Sequence, residues 1–136
     1  MRLSTYSKLG ILIALMSMLF VATPSINAQK PKKTGPCANP QSQAEMNQCA
    51  GEEYKAADTV LNQVYQQLMA KLDNDEKAQL KEAETAWMKY RDANCDFVAD
   101  QYKGGSMRPM IHGLCLADVT RNRTAELRNQ IKDRNQ

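Results

Sequence analysis

From Ser42 onward, apolar residues recur at intervals of three and four. Met46, Cys49, Ala57, Val60, Leu61, Val64, Leu68, Met69 and Leu72 fall on one stripe of a 3.6-residue helix. Ser42 is placed to cap that helix, and Glu45 three residues on completes a capping-box pattern. Gly51 weakens the helix by about 1 kcal/mol relative to alanine, but the stripe continues past it. The spacing therefore predicts one long helix to about Leu72. "DNDE" (Asp73 to Glu76) marks a turn and a second capping signature. The next helix is expected to carry Leu80, Ala83, Trp87, Tyr90, Phe97, Val98 and Tyr102 on or near its inner side. Asn94 interrupts that side and needs a hydrogen-bond partner if buried. Lys103, Gly104 and Gly105 end the helix, glycine most readily adopting the left-handed C-cap conformation. Ser106 then caps a third helix, with Pro109 tolerated in its first turn, and Met110, Ile111, Leu114, Leu116, Val119, Leu127 and Ile131 form its apolar face. β-branched runs and alternating stretches are absent. The pattern predicts an all-α fold, a small antiparallel three-helix bundle.

The region before Ser42 has a different character. Arg2 and Lys8 precede the 14-residue apolar run "LGILIALMSMLFVA" (Leu9 to Ala22), and small residues follow, with Ala28 a plausible last residue before cleavage. A bilayer span needs about 20 apolar residues, so residues 1–28 are expected to be a cleaved secretory signal that leaves no stable membrane anchor. "AQKPKKTGPCANPQ" (Ala28 to Gln41), with three prolines and three lysines, makes residues 29–41 a flexible lead-in. Residues 42–132 form the single helical domain. Periplasmic or secreted placement follows from the signal. The overall net charge of +3 is also modified by cleavage, which removes two of the positive charges. The body is acidic in any case, while basic groups gather at the termini without aromatic interleaving, so nucleic acid is not an expected partner.

All four cysteines, Cys37, Cys49, Cys95 and Cys115, lie beyond the signal, and an even count in a short exported chain implies two disulfides. Cys95 and Cys115 each stand ten residues from Gly105. Two antiparallel helices joined at a tight turn bring residues equidistant from it to the same height. That geometry favours Cys95–Cys115, leaving Cys37 to pair with Cys49. A Cys49–Cys95 bridge with Cys37–Cys115 is also sterically conceivable, because symmetry about the first turn sets Cys49 near Cys95.

The same height rule sets Asp58 level with about residue 89, within roughly half a turn of Arg91, and Arg123 level with Trp87. A structural polar network of Asp58, Asn62, Tyr65, Tyr90, Arg91 and Arg123 is expected to fix helix register. No catalytic or metal site is expected, and no cofactor. The thiols are oxidised, His112 is the single imidazole, and the spacing of zinc ligands is missing. Paired glutamates such as Glu82 and Glu84 do not converge on one point, and "KGGS" lacks the context of a phosphate loop. The chain is expected not to be an enzyme. Met107 and Met110, beside the glycines, either cap the core or offer an adaptable contact surface. Gly104, Gly105, Ser106 and Met107 are therefore the candidate partner-binding residues.

"C…QAEMNQCA" (Cys37 to Ala50), "AD..LN..Y" (Ala57 to Tyr65), "AW..YRDANC" (Ala86 to Cys95), "GGS" (Gly104 to Ser106) and "CL..VT..RT.EL" (Cys115 to Leu127) together resemble the LprI-type lysozyme inhibitor family of exported bacterial proteins. The resemblance covers nearly the whole expected domain. It implies a disulfide-stapled helical domain that binds a protein partner, with lysozyme the implied target. The cysteine that anchors lipoprotein members is absent, which points to a free periplasmic protein. The contrasting expectation is a structural or stress-protective module that contacts envelope proteins and inhibits nothing.

Overall fold

The structure, a computed structural model, describes residues 35–136; the expected signal and most of the lead-in lie outside the described residues. A short 3-10 helix, Gly35–Ala38, leads into three α-helices: α1 (Gln43–Met69), α2 (Asn74–Ala99) and α3 (Arg108–Asp133). A 3-10 turn, Asp100–Tyr102, extends α2 towards the second connection. Among the described residues there is no strand. The fold is the expected up-down-up bundle of three helices.

Local signals account for the boundaries. The Ser42 hydroxyl accepts the Glu45 backbone N–H at 3.2 Å, as a cap should. Glu45 reaches one residue further back than a capping box requires, accepting the Gln41 N–H at 2.6 Å. At the first turn the box is complete, since Asp73 and Glu76 each accept the other's backbone N–H, at 2.9 and 3.1 Å. The second turn depends on Gly104 at φ +81, a conformation that a side chain would oppose. Ser106 does not cap α3. Met107 occupies the cap position without a side-chain bond, and the Ser106 carbonyl instead accepts from the Asn47 amide at 3.1 Å.

α1 and α3 run parallel and pack along their lengths, tied by Asn47–Ser106 at one end and by Lys71 to Asn135 (2.8 Å) at the other. Their close approach centres on small residues. A side chain on Gly113 would place its Cβ 3.0 Å from the Ala50 backbone carbon. α2 leans on α3 and approaches α1 only loosely. Leu61, Val64, Leu68, Leu72, Leu80 and Leu127 form the principal core, with Tyr65, Met69, Trp87 and Ile131 packed around it. This core occupies the half of the bundle near the first turn. The other half, near Gly104–Gly105, buries mostly small residues, Ala50, Ala99, Gly113 and Ala117, together with Leu116, and holds both disulfides.

The inner face of α2 departs from expectation. Leu80, Arg91, Cys95 and Ala99 are buried, whereas Ala83 is exposed, Tyr90 is 60% exposed, Phe97 75% and Tyr102 39%. The Cys95–Cys115 bond fixes which side of α2 turns inward, and residues spaced four from Cys95 follow it in. Tyr90 and Phe97 lie more than a quarter-turn away, at 100° per residue. α3 likewise buries Gly113, Ala117, Thr120 and Thr124 beside the expected Leu116 and Leu127. Thr124 donates to the Thr120 carbonyl at 2.9 Å, and the Thr120 hydroxyl has no hydrogen-bond partner among the described residues.

Candidate functional site

Two bridges define the end that carries the candidate surface. Cys37 bonds Cys49 and Cys95 bonds Cys115, with Cα separations of 5.4 and 5.5 Å that suit a disulfide. The sequential pairing is the one formed; the crossed alternative is not. Asn94, the polar interruption on α2, is half-buried and directs its amide at Cys115 Sγ, 3.8 Å away.

Gly104, Gly105, Ser106 and Met107 are all exposed at the tip between α2 and α3. Gly105 N–H donates to the Tyr102 carbonyl at 2.9 Å, which closes the turn. Met107 is 39% exposed, while Met110 is half-buried, its sulfur 3.7 Å from the Gln43 amide. Beneath the tip, Arg108 binds Asp100 through two nitrogens (2.8 and 3.1 Å) and reaches Asp96 at 3.4 Å. The Arg108 hydrogen bond holds the Asp100 carboxyl below its ordinary value and raises Arg108 in turn. His112 Nε2 also lies 3.4 Å from Asp96. The tip is thus an exposed, hydrogen-bonded turn seated on a charge-paired base.

Of the six polar residues read as one network, Asp58, Asn62 and Arg91 come together, Arg123 joins a second cluster, and Tyr65 and Tyr90 join neither. Arg91 is buried, and its guanidinium lies 5.4 Å from the Tyr54 ring and 5.2 Å from the Trp87 ring, filling the gap between α1 and α2. It pairs with Asp92 at 2.8 Å and with Asp58 at 3.9 Å. Asn62 donates to both the carbonyl and the carboxylate of Asp58, at 3.0 Å each. Burial pushes the Tyr54 phenol up, with Arg91 pulling the other way. Tyr65 packs against the leucine core, and Tyr90 points to solvent. Arg123 belongs elsewhere: it binds Glu84 at 2.6 Å and Glu126 at 2.7 Å. Glu84 and Arg123 are only 12% and 13% exposed, the most enclosed ion pair among the described residues. Burial works against the Arg123 charge, yet the hydrogen bonds to Glu84 and Glu126 leave its pKa raised.

Sequence reasoning missed Tyr54 and Glu84. Glu84 sits four residues after Leu80 and three before Trp87, within the inward stripe, and that spacing was the available signal. Among the described residues no group of three or more metal-ligating side chains converges. Gln48, Gly51, Glu52, Tyr54, Lys55 and Asp58 line a shallow open depression on α1.

The model of the lysozyme inhibitor LprI family matches residues 37–127, from the first bridged cysteine to the buried Leu127 of α3. The chain belongs to the LprI family. Its match takes in both disulfides, the tip and the two polar clusters of this LprI domain. An uncharacterized protein of Rhizobium meliloti (strain 1021) is 37% identical over 130 residues, covering 86% of this chain and 92% of the relative. No solved structure matches.

Proposed function

We propose that this LprI-family protein is exported and inhibits a lysozyme by binding it, with no chemistry of its own. The observation that carries the proposal is the family match, which spans the whole bridged three-helix domain. Three features support it. Two disulfides in a short chain suit an oxidising compartment, as does the leader-like start. Residues 37–120 carry 8 basic and 13 acidic groups, a net −5 that the basic end of α3 reduces to −2 over residues 42–132, and this acidic body favours encounter with a strongly basic enzyme. The tip at Gly104–Met107 is an exposed turn, which leaves it free to meet a substrate cleft.

The test is lysis of a bacterial cell-wall suspension by lysozyme with and without the oxidised protein. Inhibition at micromolar excess, relieved by Met107→Asp or by inserting residues between Gly105 and Ser106, is the expected result. Full lysozyme activity in the presence of folded, oxidised protein would refute inhibition. Inhibition indifferent to both tip changes would move the contact to another face.

A further inference from the structure

The outer side of α2 carries a pattern that the bundle does not use. Ala83, Ala86, Tyr90, Ala93 and Phe97 are spaced three, four, three and four apart, and all five are exposed. That spacing is the seam of a two-helix coiled coil, here about 21 Å long at 1.5 Å per residue. Two large rings separated by alanines leave holes beside the knobs. Glu82, Lys89 and Asp96 lie along one edge of the seam at seven-residue intervals, alternating in sign, and Lys103, just past the 3-10 turn that follows α2, continues the alternation in the sequence.

We propose that this face pairs with the same face of a second copy, α2 against α2 in antiparallel orientation about a two-fold axis near residues 91–92. Such a contact is self-complementary, each residue i meeting j while j meets i. In this register Tyr90 packs on Ala93 of the second copy and Phe97 on its Ala86. At the edge, Lys89 meets Asp96 and Glu82 meets Lys103, and two-fold symmetry forms each pair twice. Shifting the pairing by one heptad repeat either way breaks both matches. One shift opposes Glu82 to Asp96 and Lys89 to its own copy, and sets Phe97 against Gln79. The other opposes Lys89 to Lys103 and Asp96 to itself, and sets Tyr90 against Asp100. The charges therefore select the same register as the rings, as like-charge contacts do when they exclude wrong partners.

The face is compatible with the rest of the fold. Asp96 stays 61% exposed in its side chain while near Arg108 and His112. Glu82 and Lys103 are exposed as well, and Lys103 follows the 3-10 turn with an extended ψ of 129, from which its flexible stem projects. A seam this short belongs among small, weak interfaces, so a reversible dimer with micromolar dissociation is expected.

Sedimentation velocity tests the proposal on the full chain, expressed with its leader and recovered oxidised, over a range of micromolar concentrations. A concentration-dependent dimer is expected for the wild type. Phe97→Asp should weaken it about tenfold or more, as loss of a central anchor does, with an unchanged far-UV spectrum. Glu82→Lys alone and Lys103→Glu alone should each weaken the dimer, and the double swap should restore it. A monomer at all concentrations overturns the proposal, as does a dimer indifferent to Phe97→Asp. Failure of the double swap to restore a dimer weakened by both single changes overturns the register. A monomer in which Phe97→Asp abolishes lysozyme inhibition overturns self-pairing and assigns the face to that enzyme.

Discussion

Arg91 shows most directly how single side chains hold this bundle. Its guanidinium is enclosed by two rings and two carboxylates in the space between α1 and α2. Methionine fills similar volume but supplies neither charge nor a stacking plane, so Arg91→Met should destabilise by about 1–2 kcal/mol. The expected readout is a melting temperature lowered by several degrees; an unchanged curve would show the cluster to be idle. Asp100 supplies a pH test. Its folded pKa lies below its ordinary value of 3.8 because Arg108 hydrogen-bonds the charged form. The unfolded chain therefore binds that proton more readily, and the pair's contribution is present at neutral pH and lost as pH falls through the folded value. NMR signals of the Arg108 side chain should shift in that acid window, and the shift should vanish in Asp100→Asn.

Glycines on α1 and α3 make opposite predictions at the scale of the helix. Gly51 is mid-helix with nothing within 4 Å of an added Cβ, so Gly51→Ala should stabilise by roughly 0.5–1 kcal/mol through helix propensity. Gly113 faces the Ala50 backbone at 3.0 Å, so Gly113→Leu should force α1 and α3 apart at a cost of about 2 kcal/mol or more. Chemical denaturation of the two variants checks both signs. Helix number, both turns and the bridging partners were legible in the sequence because each has a local cause: three-four spacing, paired caps, glycine at a positive φ, and cysteines equidistant from a turn. The inward face of α2 was less legible. Counting heights along antiparallel helices fixes the level of a residue but not the direction it points. Apolarity placed Tyr90 and Phe97 inside, whereas Cys95 carries the directional information, and reading four residues either way from it finds Arg91 and Ala99. The close approach at Gly113 has no apolar signature at all.

The described bundle divides its cohesion between two ends. Leu61, Val64, Leu68, Leu72, Leu80 and Leu127 hold one half, and two covalent links hold the half where buried side chains are small. The Cys95–Cys115 link spans a sequence separation of 20, a loop whose closure is worth about 3 kcal/mol in the chain-entropy model. Cys95→Ala/Cys115→Ala should therefore raise amide exchange around residues 88–118 more than around Leu61–Leu72, which mass-resolved hydrogen exchange would show. Uniform loss of protection along all three helices would refute the division. The exposed tip is mounted on the covalently held half, so a thiol reductant is expected to loosen the end that carries the proposed contact first while the leucine end still reads as folded. Any protective effect of the protein on a cell wall should consequently fade under reducing conditions well before the chain melts.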